Sequence, residues 1–216
     1  MTAPDKSIGG VQLPSADSPI VIWQNGACRT ADGFSCTAIF PGAFNPIHDG
    51  HRGLRQAAAK FLGCPIFYEL SICNVEKTKL DAREVHRRLR QISDSDVLLT
   101  NAAKFSEKAN LFPGCWFVVG FDTAERILNP AYYDKQKQRR NQSLRDLRSA
   151  NVKFLVAGRV GLKQLSAQFR TADQLSVDDE FRELFIGLPE TCFRVDISST
   201  AIRQQRSCTD TSKSDS

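Results

Sequence analysis

The chain has 216 residues, of which 41% are hydrophobic and 25% charged, values ordinary for a globular protein that can bury a good-sized core. Its net charge of +5 comes without the dense Lys/Arg tracts of a dedicated nucleic-acid binder, so nucleic acid is a poor candidate partner and small anions such as nucleotides are good ones. Seven cysteines without a CxxC pair, no signal-peptide pattern and no run of about 20 apolar residues predict a cytoplasmic protein with reduced thiols and no membrane partner.

Residues 1–36 are predicted to form an N-terminal extension. The first 18 are rich in Gly, Pro, Ser and Asp and are expected to be a loose arm. Residues 19–24 (PIVIWQ) then predict a strand, and Asn25-Gly26 predicts a turn, so this part can add an edge strand or hairpin to the main sheet. The main domain is predicted over 37–206, and 207–216 form a disordered tail.

From residue 37 the pattern alternates between strands and helices. A first strand ends at Pro41, and an apolar stripe with helical spacing follows at Leu54, Ala57, Ala58, Phe61 and Leu62. Further strands are expected at 66–72, 97–100, 115–120 and 152–157, with a last extended run at 192–195. Helices are expected at 81–92, 106–112 and 122–128, within 132–148, and in a piece around 178–185. This alternation, with continuous apolar strands, predicts an α/β fold with a parallel sheet.

Ligands bind beyond the carboxyl ends of the strands in such a sheet. The residues whose side chains are the best candidates for binding or catalysis follow strands there: His48, His51, Lys77, Asp122 and Arg159. Their shared placement is a stronger indication of a site than any one of them.

The stretch 42–51 (GAFNPIHDGH) joins a strand to a helix start. The free N–H groups and the dipole of that helix end favour phosphate, and Gly42 and Ala43 keep the turn small. The imidazoles of His48 and His51 can donate hydrogen bonds to phosphate oxygens, most strongly as charge builds in a pentacoordinate transition state. Neither ring needs to act as a base.

A second stretch, 197–203 (ISSTAIR), has similar properties. Ser198 or Ser199 can cap a helix, and Thr200 and Arg203 lie in or near its first turn. Hydroxyls and a guanidinium suit the distal phosphates of a nucleotide.

The two stretches, about 150 residues apart, resemble the GxFxPxHxGH and ISSTxIR signatures of the nucleotidylyltransferase superfamily. The resemblance implies a Rossmann-like three-layer sandwich with a mainly parallel five- or six-stranded sheet. It also implies transfer of a nucleoside monophosphate from a nucleoside triphosphate to a small phosphorylated acceptor, with release of pyrophosphate. Mg²⁺ would be bound through the nucleotide phosphates, with no metal ligand assigned to the chain.

By this resemblance, the catalytic residues are His48 and His51. The nucleotide- and phosphate-binding residues are Gly42, Ala43, Phe44, Ser198, Ser199, Thr200 and Arg203.

The segment Gly120-Phe121-Asp122 resembles the GxD element of nicotinamide and nicotinate mononucleotide adenylyltransferases. Arg159 resembles the arginine after the fifth strand in that branch, and Lys77 resembles a basic residue that reaches a phosphate. AMP transfer from ATP to one of these mononucleotides is therefore the favoured activity.

Several alternatives stay open. The chain could be a cytidylyltransferase or a catalytically idle nucleotide-binding module. HxGH also resembles the HIGH signature of class I aminoacyl-tRNA synthetases, but the chain has ISSTAIR where those enzymes have a lysine loop, and it is too short for an anticodon domain. The acceptor, the oligomeric state (a homo-oligomer included) and the roles of 1–36 and 160–191 are not assigned. The basic run at Lys135, Lys137, Arg139 and Arg140 is predicted to be a solvated face, with a phosphate-facing patch as the alternative.

Overall fold

The computed structural model of the chain describes residues 10–31, 33–73, 79–160 and 169–194. Its strands are β1 (Ile20–Gln24), β2 (Ala27–Thr30), β3 (Ala38–Pro41), β4 (Phe67–Ser71), β5 (Val97–Thr100), β6 (Trp116–Gly120), β7 (Lys153–Ala157), β8 (Arg159–Val160), β9 (Phe169–Arg170) and β10 (Phe185–Leu188). Its α-helices are α1 (Asp49–Leu62), α2 (Ala82–Leu89), α3 (Phe105–Leu111), α4 (Phe121–Leu128) and α5 (Lys137–Ser149). Short 3₁₀ helices lie at Pro130–Tyr132, Ala172–Gln174 and Asp179–Leu184.

The central sheet has the order β10-β7-β6-β3-β4-β5-β1-β2. The six strands from β10 to β5 are parallel to their neighbours, whereas β1 pairs antiparallel with both β5 and β2. The mainly parallel Rossmann-like architecture predicted from the sequence is confirmed. The strand number is corrected to eight, because the β1–β2 hairpin extends one edge of the six parallel strands. Strands β8 and β9 form a separate two-stranded hairpin.

The last parallel strand differs from the sequence-based expectation. The helical piece ends at Leu184 and β10 begins at Phe185, whose ring stacks on that of Phe154 in β7 with 5.0 Å between centroids. The expected extended run at 192–195 is not a strand over its described part. The N–H groups of Cys192 and Phe193 instead donate to the carbonyl of Pro189 and form a turn.

Helices cover both faces of the sheet and make three layers. Leu54 and Ala58 of α1 and Val85 and Leu89 of α2 pack on one face. The other face is covered by α3, α4 and α5, through apolar residues that include Ala109, Phe121, Ala124, Leu144 and Leu147. Among the described residues, the structure contains no helix with the length and apolar character needed to cross a bilayer.

The strand order creates a topological switch point. From β5 to β10, the parallel strands follow the order β5-β4-β3-β6-β7-β10, as in a doubly wound Rossmann sheet. The helix after β3 packs on one face and the helix after β6 on the other. A crevice therefore opens at the carboxyl ends of β3 and β6, the usual position of a ligand in such folds.

A buried ion pair fixes α3 to the sheet. Glu69 in β4 and Lys108 in α3 are 1% and 4% exposed, and their Oε1 and Nζ atoms are 2.6 Å apart. The Thr100 hydroxyl donates to the same carboxylate oxygen at 2.5 Å, and Lys108 also donates to the carbonyl of Ala102 at 2.9 Å. These hydrogen bonds compensate for part of the cost of burying the two charges.

Candidate functional site

The two histidines of the 42–51 stretch lie together at the start of α1. His48 is the N-cap residue, with extended backbone angles (φ −148°, ψ 171°). The backbone N–H of His48 donates to Nδ1 of His51 at 3.2 Å, and the ring centroids of the two imidazoles are 3.8 Å apart. Because Nδ1 of His51 accepts this bond, the neutral ring carries its proton on Nε2, which can donate to a ligand.

Burial keeps both imidazoles uncharged. The pKa of His51 is lowered to about 3, chiefly by burial, and further by repulsion from the protonated form of His48 and from Arg52. The pKa of His48 is also lowered by burial, against an opposing effect of Asp49. At neutral pH His51 is therefore a hydrogen-bond donor and a very weak base, as expected for charge stabilisation rather than proton abstraction.

Phe44 supports His51 from the core. Its ring is 1% exposed and lies 5.4 Å from the His51 ring and 4.9 Å from the Tyr68 ring, measured between centroids. A Cβ atom at Gly42 would lie 2.6 Å from the Phe44 ring, so glycine is required there to admit this side chain. Phe44 itself has a left-handed φ of +43°. The resemblance implies that Phe44 binds the nucleotide, and in the structure its side chain is buried against the His51 ring.

A charged cluster lies at the end of β6. Gly120 is the N-cap of α4, and Asp122 in the first turn pairs with both Arg159 and Arg170, the latter at 3.2 Å from Nη2 to Oδ1. Arg170 also pairs with Glu125 at 3.0 Å, and its guanidinium lies over the Phe121 ring. Asp122 is thus held by two arginines, and among the described residues its carboxylate accepts hydrogen bonds from these arginines and not from a backbone N–H of α4.

Arg170 was not identified from the sequence, because no role was assigned to 160–191 and no motif includes this residue. The β8–β9 hairpin, in which Arg159 pairs with Arg170, brings it to the cluster. The hairpin requires glycine at position 158, where a Cβ atom would lie 2.5 Å from the Phe169 ring and 2.7 Å from the carbonyl oxygen of Arg170. A glycine can indicate that another segment approaches the backbone closely, so Gly158 is the sequence signal that could have indicated the contact with Phe169 and Arg170.

The two halves of the site follow adjacent strands. The histidines follow β3, Asp122 follows β6, and Arg159 follows β7, which is the order of these strands in the sheet. Neighbouring strands are about 4.8 Å apart, so the ends of these three span about 10 Å, a distance that fits a nucleotide. Lys77, Ser198, Ser199, Thr200 and Arg203 lie outside the described residues.

The chain approaches α1 again before the 197–203 stretch. A Cβ atom at Gly53, on the second turn of α1, would lie 3.3 Å from the ring of Phe193. Phe193 also packs against the core cluster beneath α1. The last described residues before the second signature therefore lie beside the helix that carries the histidines.

The basic run near α5 is compensated by acidic residues. Arg139 pairs with Asp134, and Arg140 and Lys137 both pair with Asp178, at 2.7 Å and 3.6 Å. Arg140 is only 4% exposed, so the expectation of a solvated face is wrong for this residue. These pairs argue against a phosphate-facing patch.

A groove of about 420 Å³ lies elsewhere, beside β10. Thr171, Arg182 and Phe185 are among the residues that line it, and none of the candidate site residues does. β10 is two strands away from β6, so this groove is separate from the crevice at the switch point.

No protein-family model matches the chain, and no curated protein matches its sequence. The candidate site is therefore defined by the paired histidines, the Asp122 cluster and the strand order that places both at one edge of the sheet.

Proposed function

We propose that the protein is a nucleotidyltransferase that moves a nucleoside monophosphate onto a phosphate-bearing acceptor and releases pyrophosphate. AMP, taken from ATP, is the favoured nucleoside monophosphate. The observation that carries this proposal is the closely packed pair His48 and His51 at the start of α1, beside the switch point. Helix N–H groups, the helix dipole and imidazole donors converge there, and all of them favour a polyphosphate.

The proposed reaction is an in-line displacement at the α-phosphorus. An acceptor phosphate oxygen forms a bond to this phosphorus while the bond to the bridging oxygen of the β-phosphate breaks, and pyrophosphate leaves with the electron pair. Charge grows on the equatorial oxygens, and the Nε2–H of His51 donates to one of them. This hydrogen bond strengthens as charge builds in the transition state, so it stabilises the transition state more than the bound substrate.

The second signature is proposed to close the triphosphate site. Ser199 follows Arg194 by five residues, and an extended chain of that length spans at most about 17 Å. Because Phe193 lies against α1 at Gly53, this length allows Ser198, Ser199 and Thr200 to reach the start of α1. Arg203 would then meet the distal phosphates.

The acceptor is proposed to bind on the β6–β7 side of the crevice. Arg159 and Arg170 present guanidiniums that Asp122 holds in place, and each keeps further N–H donors for a monophosphate. Gly120 lets a ligand approach the start of α4, since no atom lies within 4 Å of where a Cβ atom would stand. Lys77 is a further candidate for this phosphate. Nicotinamide and nicotinate mononucleotide are the favoured acceptors.

Magnesium fits this proposal as a partner of the nucleotide. The described residues contain no group of three or more His, Cys, Asp or Glu side chains placed to hold a metal ion. Mg²⁺ commonly keeps several waters and binds through substrate phosphates with few protein ligands. Bound to the triphosphate, it would neutralise charge on the phosphates while the histidines contact other oxygens.

Calorimetric titration with MgATP and MgCTP, followed by a pyrophosphate-release assay over a panel of phosphorylated acceptors, tests the proposal. His51→Asn keeps an acceptor near the Nδ1 position but removes the Nε2–H donor, and we expect turnover to fall at least about a hundredfold. Nucleotide affinity should fall much less. His86→Asn, on α2 beside Trp23, is the matched control.

Three outcomes decide between the alternatives. Turnover with CTP alone would identify a cytidylyltransferase, and nucleotide binding without pyrophosphate from any acceptor would identify an idle module. Unchanged turnover in His51→Asn would refute the catalytic role of the histidine pair.

A further inference from the structure

Helix α2 makes direct contact with the loop that leads into the histidines. The guanidinium of Arg88 donates from Nη1 to the carbonyl of Ala43 at 3.0 Å, across 45 positions of sequence. Arg87 donates from Nη2 to Oδ1 of Asn45 at 2.7 Å. Two successive arginines of one helix therefore bond to two nearby positions of the loop at residues 42–47.

Glu84 holds both arginines in position. Its Oε1 accepts from Nη2 of Arg87 and from Nε of Arg88, and its Oε2 accepts from Nε of Arg87, each at 2.7 Å. The hydrogen bond from Arg87 is the largest of the effects that lower the pKa of Glu84 to about 2, so the carboxylate is charged at neutral pH. The Arg88 side chain is only 12% exposed. These guanidiniums are fixed by the helix before they meet the loop.

The loop is also held at its first residue and through the ring of Phe44. Its first residue, Gly42, continues the sheet ladder by donating to the carbonyl of Glu69, and Phe44 then adopts a left-handed φ of +43°. Such a backbone conformation persists in a non-glycine residue only when its surroundings hold it. The Phe44 ring is held from the core, and Arg88 and Arg87 hold the loop on either side of it, at Ala43 and Asn45.

We infer that Glu84, Arg87 and Arg88 form a positioning device for the nucleotide site, named here the α2 clamp. The clamp fixes the 42–47 loop and, through it, the start of α1 where His48 and His51 lie. Arg88 is its central residue, because it is the most buried and reaches the backbone itself. In ordinary ion pairs along one helix the arginines would bond only to Glu84, whereas Arg87 and Arg88 also bond to the 42–47 loop. The consequence for nucleotide binding rests on the function proposed above; the effect on the loop does not.

The test compares Arg88→Met, which keeps an apolar stem but has no donors, with Arg83→Met as the control. Arg83 is exposed on the same helix, and no ion pair or hydrogen bond of its side chain is found among the described residues. Hydrogen exchange followed by mass spectrometry reports on peptides that cover the 42–47 loop. Loss of a charge-assisted hydrogen bond should speed exchange of this loop about tenfold or more.

The same variants are titrated with MgATP. We expect Arg88→Met to weaken MgATP binding about tenfold, as expected for loss of one charge-assisted hydrogen bond that orders a site. Arg88→Lys should recover part of the loss, since an ammonium can reach Glu84 or Ala43 but cannot reproduce the fork that bonds both. Where turnover is measured, kcat should fall more than KM for ATP rises.

If Arg88→Met does not change the hydrogen-exchange rate of the 42–47 loop, the inference that the α2 clamp fixes this loop is refuted, whatever the protein binds. Faster exchange with unaltered MgATP affinity and turnover would overturn its role in positioning the site. If the wild-type protein does not bind MgATP, the proposed function fails, and the clamp is then judged on loop exchange alone.

Discussion

The lowered pKa of His51 predicts a specific dependence of stability on pH. The folded ring has a pKa of about 3, against its ordinary value of 6.5. The unfolded chain therefore binds a proton at this residue as pH falls below 6.5, while the folded chain does not. Stability is unaffected by this group above pH 6.5 and is lost progressively as pH falls from 6.5 towards 3.

The size of the effect follows from the two pKa values. At pH 5 the unfolded imidazole is mostly protonated and the folded one is not, which destabilises the fold by about 2 kcal/mol relative to pH 7.5. In His51→Asn this contribution is absent, and the asparagine can still accept the bond from the His48 N–H. The wild type should thus lose about 2 kcal/mol more stability than the variant between pH 7.5 and pH 5.0.

Guanidinium chloride unfolding, followed by tryptophan fluorescence at both pH values, measures this difference. Titrating groups that do not interact with His51 act alike in both proteins and cancel. In NMR spectra, the His51 ring signals should not titrate between pH 5 and 8. An equal loss of stability in the two proteins, or a His51 midpoint near 6.5, would refute the burial argument and the uncharged donor on which the proposed chemistry depends.

Three further predictions concern residues around the site. Lys108→Met leaves the Glu69 carboxylate buried without its counter-charge and should lower the free energy of unfolding, measured by chemical denaturation, by about 3–5 kcal/mol. The double variant Lys108→Met/Glu69→Leu should regain most of this loss, and equal losses in the single and double variants would contradict the argument. Gly42→Ala should cost about 1–3 kcal/mol because the added methyl overlaps the Phe44 ring, and a smaller residue at position 44 should reduce the loss; an unaltered thermal midpoint would count against this overlap. Asp122→Asn weakens the ion pairs with Arg159 and Arg170 and should speed tryptic cleavage after these two arginines. An unchanged cleavage rate would show that other contacts hold the β8–β9 hairpin.

Sequence reasoning succeeded where periodicity and local chemistry agree. The strand before Pro41 and the helix after His48 follow from an apolar run, a small-residue turn and a helical stripe, all within about 25 residues. β10 could not be predicted in the same way. Its four residues follow a polar helical piece directly, and they become a strand because Phe185 finds Phe154 on a strand about 30 positions away in the chain.

The same distinction applies to the site. His48 and His51 belong to one short motif, so their proximity could be predicted from spacing alone. Arg170 joins the cluster only through the pairing of β8 with β9, for which the sequence carries no strong pattern. Arg88 was given no role from the sequence, where it is one of several arginines on the 81–92 helix. It is largely buried because the 42–47 loop passes over it, which helical spacing cannot show.

The hairpin of β1 and β2 also has a consequence for association between molecules. β5 consists of four fully buried residues, VLLT, and without β1 its backbone edge would be a template for pairing with another chain. β1 covers that edge, and the outermost strand becomes β2, which is short and carries an exposed arginine at position 29. At the opposite edge, the Ala172–Gln174 segment packs against Gly187 of β10. By pairing with β5, the β1–β2 hairpin thus removes an edge at which another chain could add a strand.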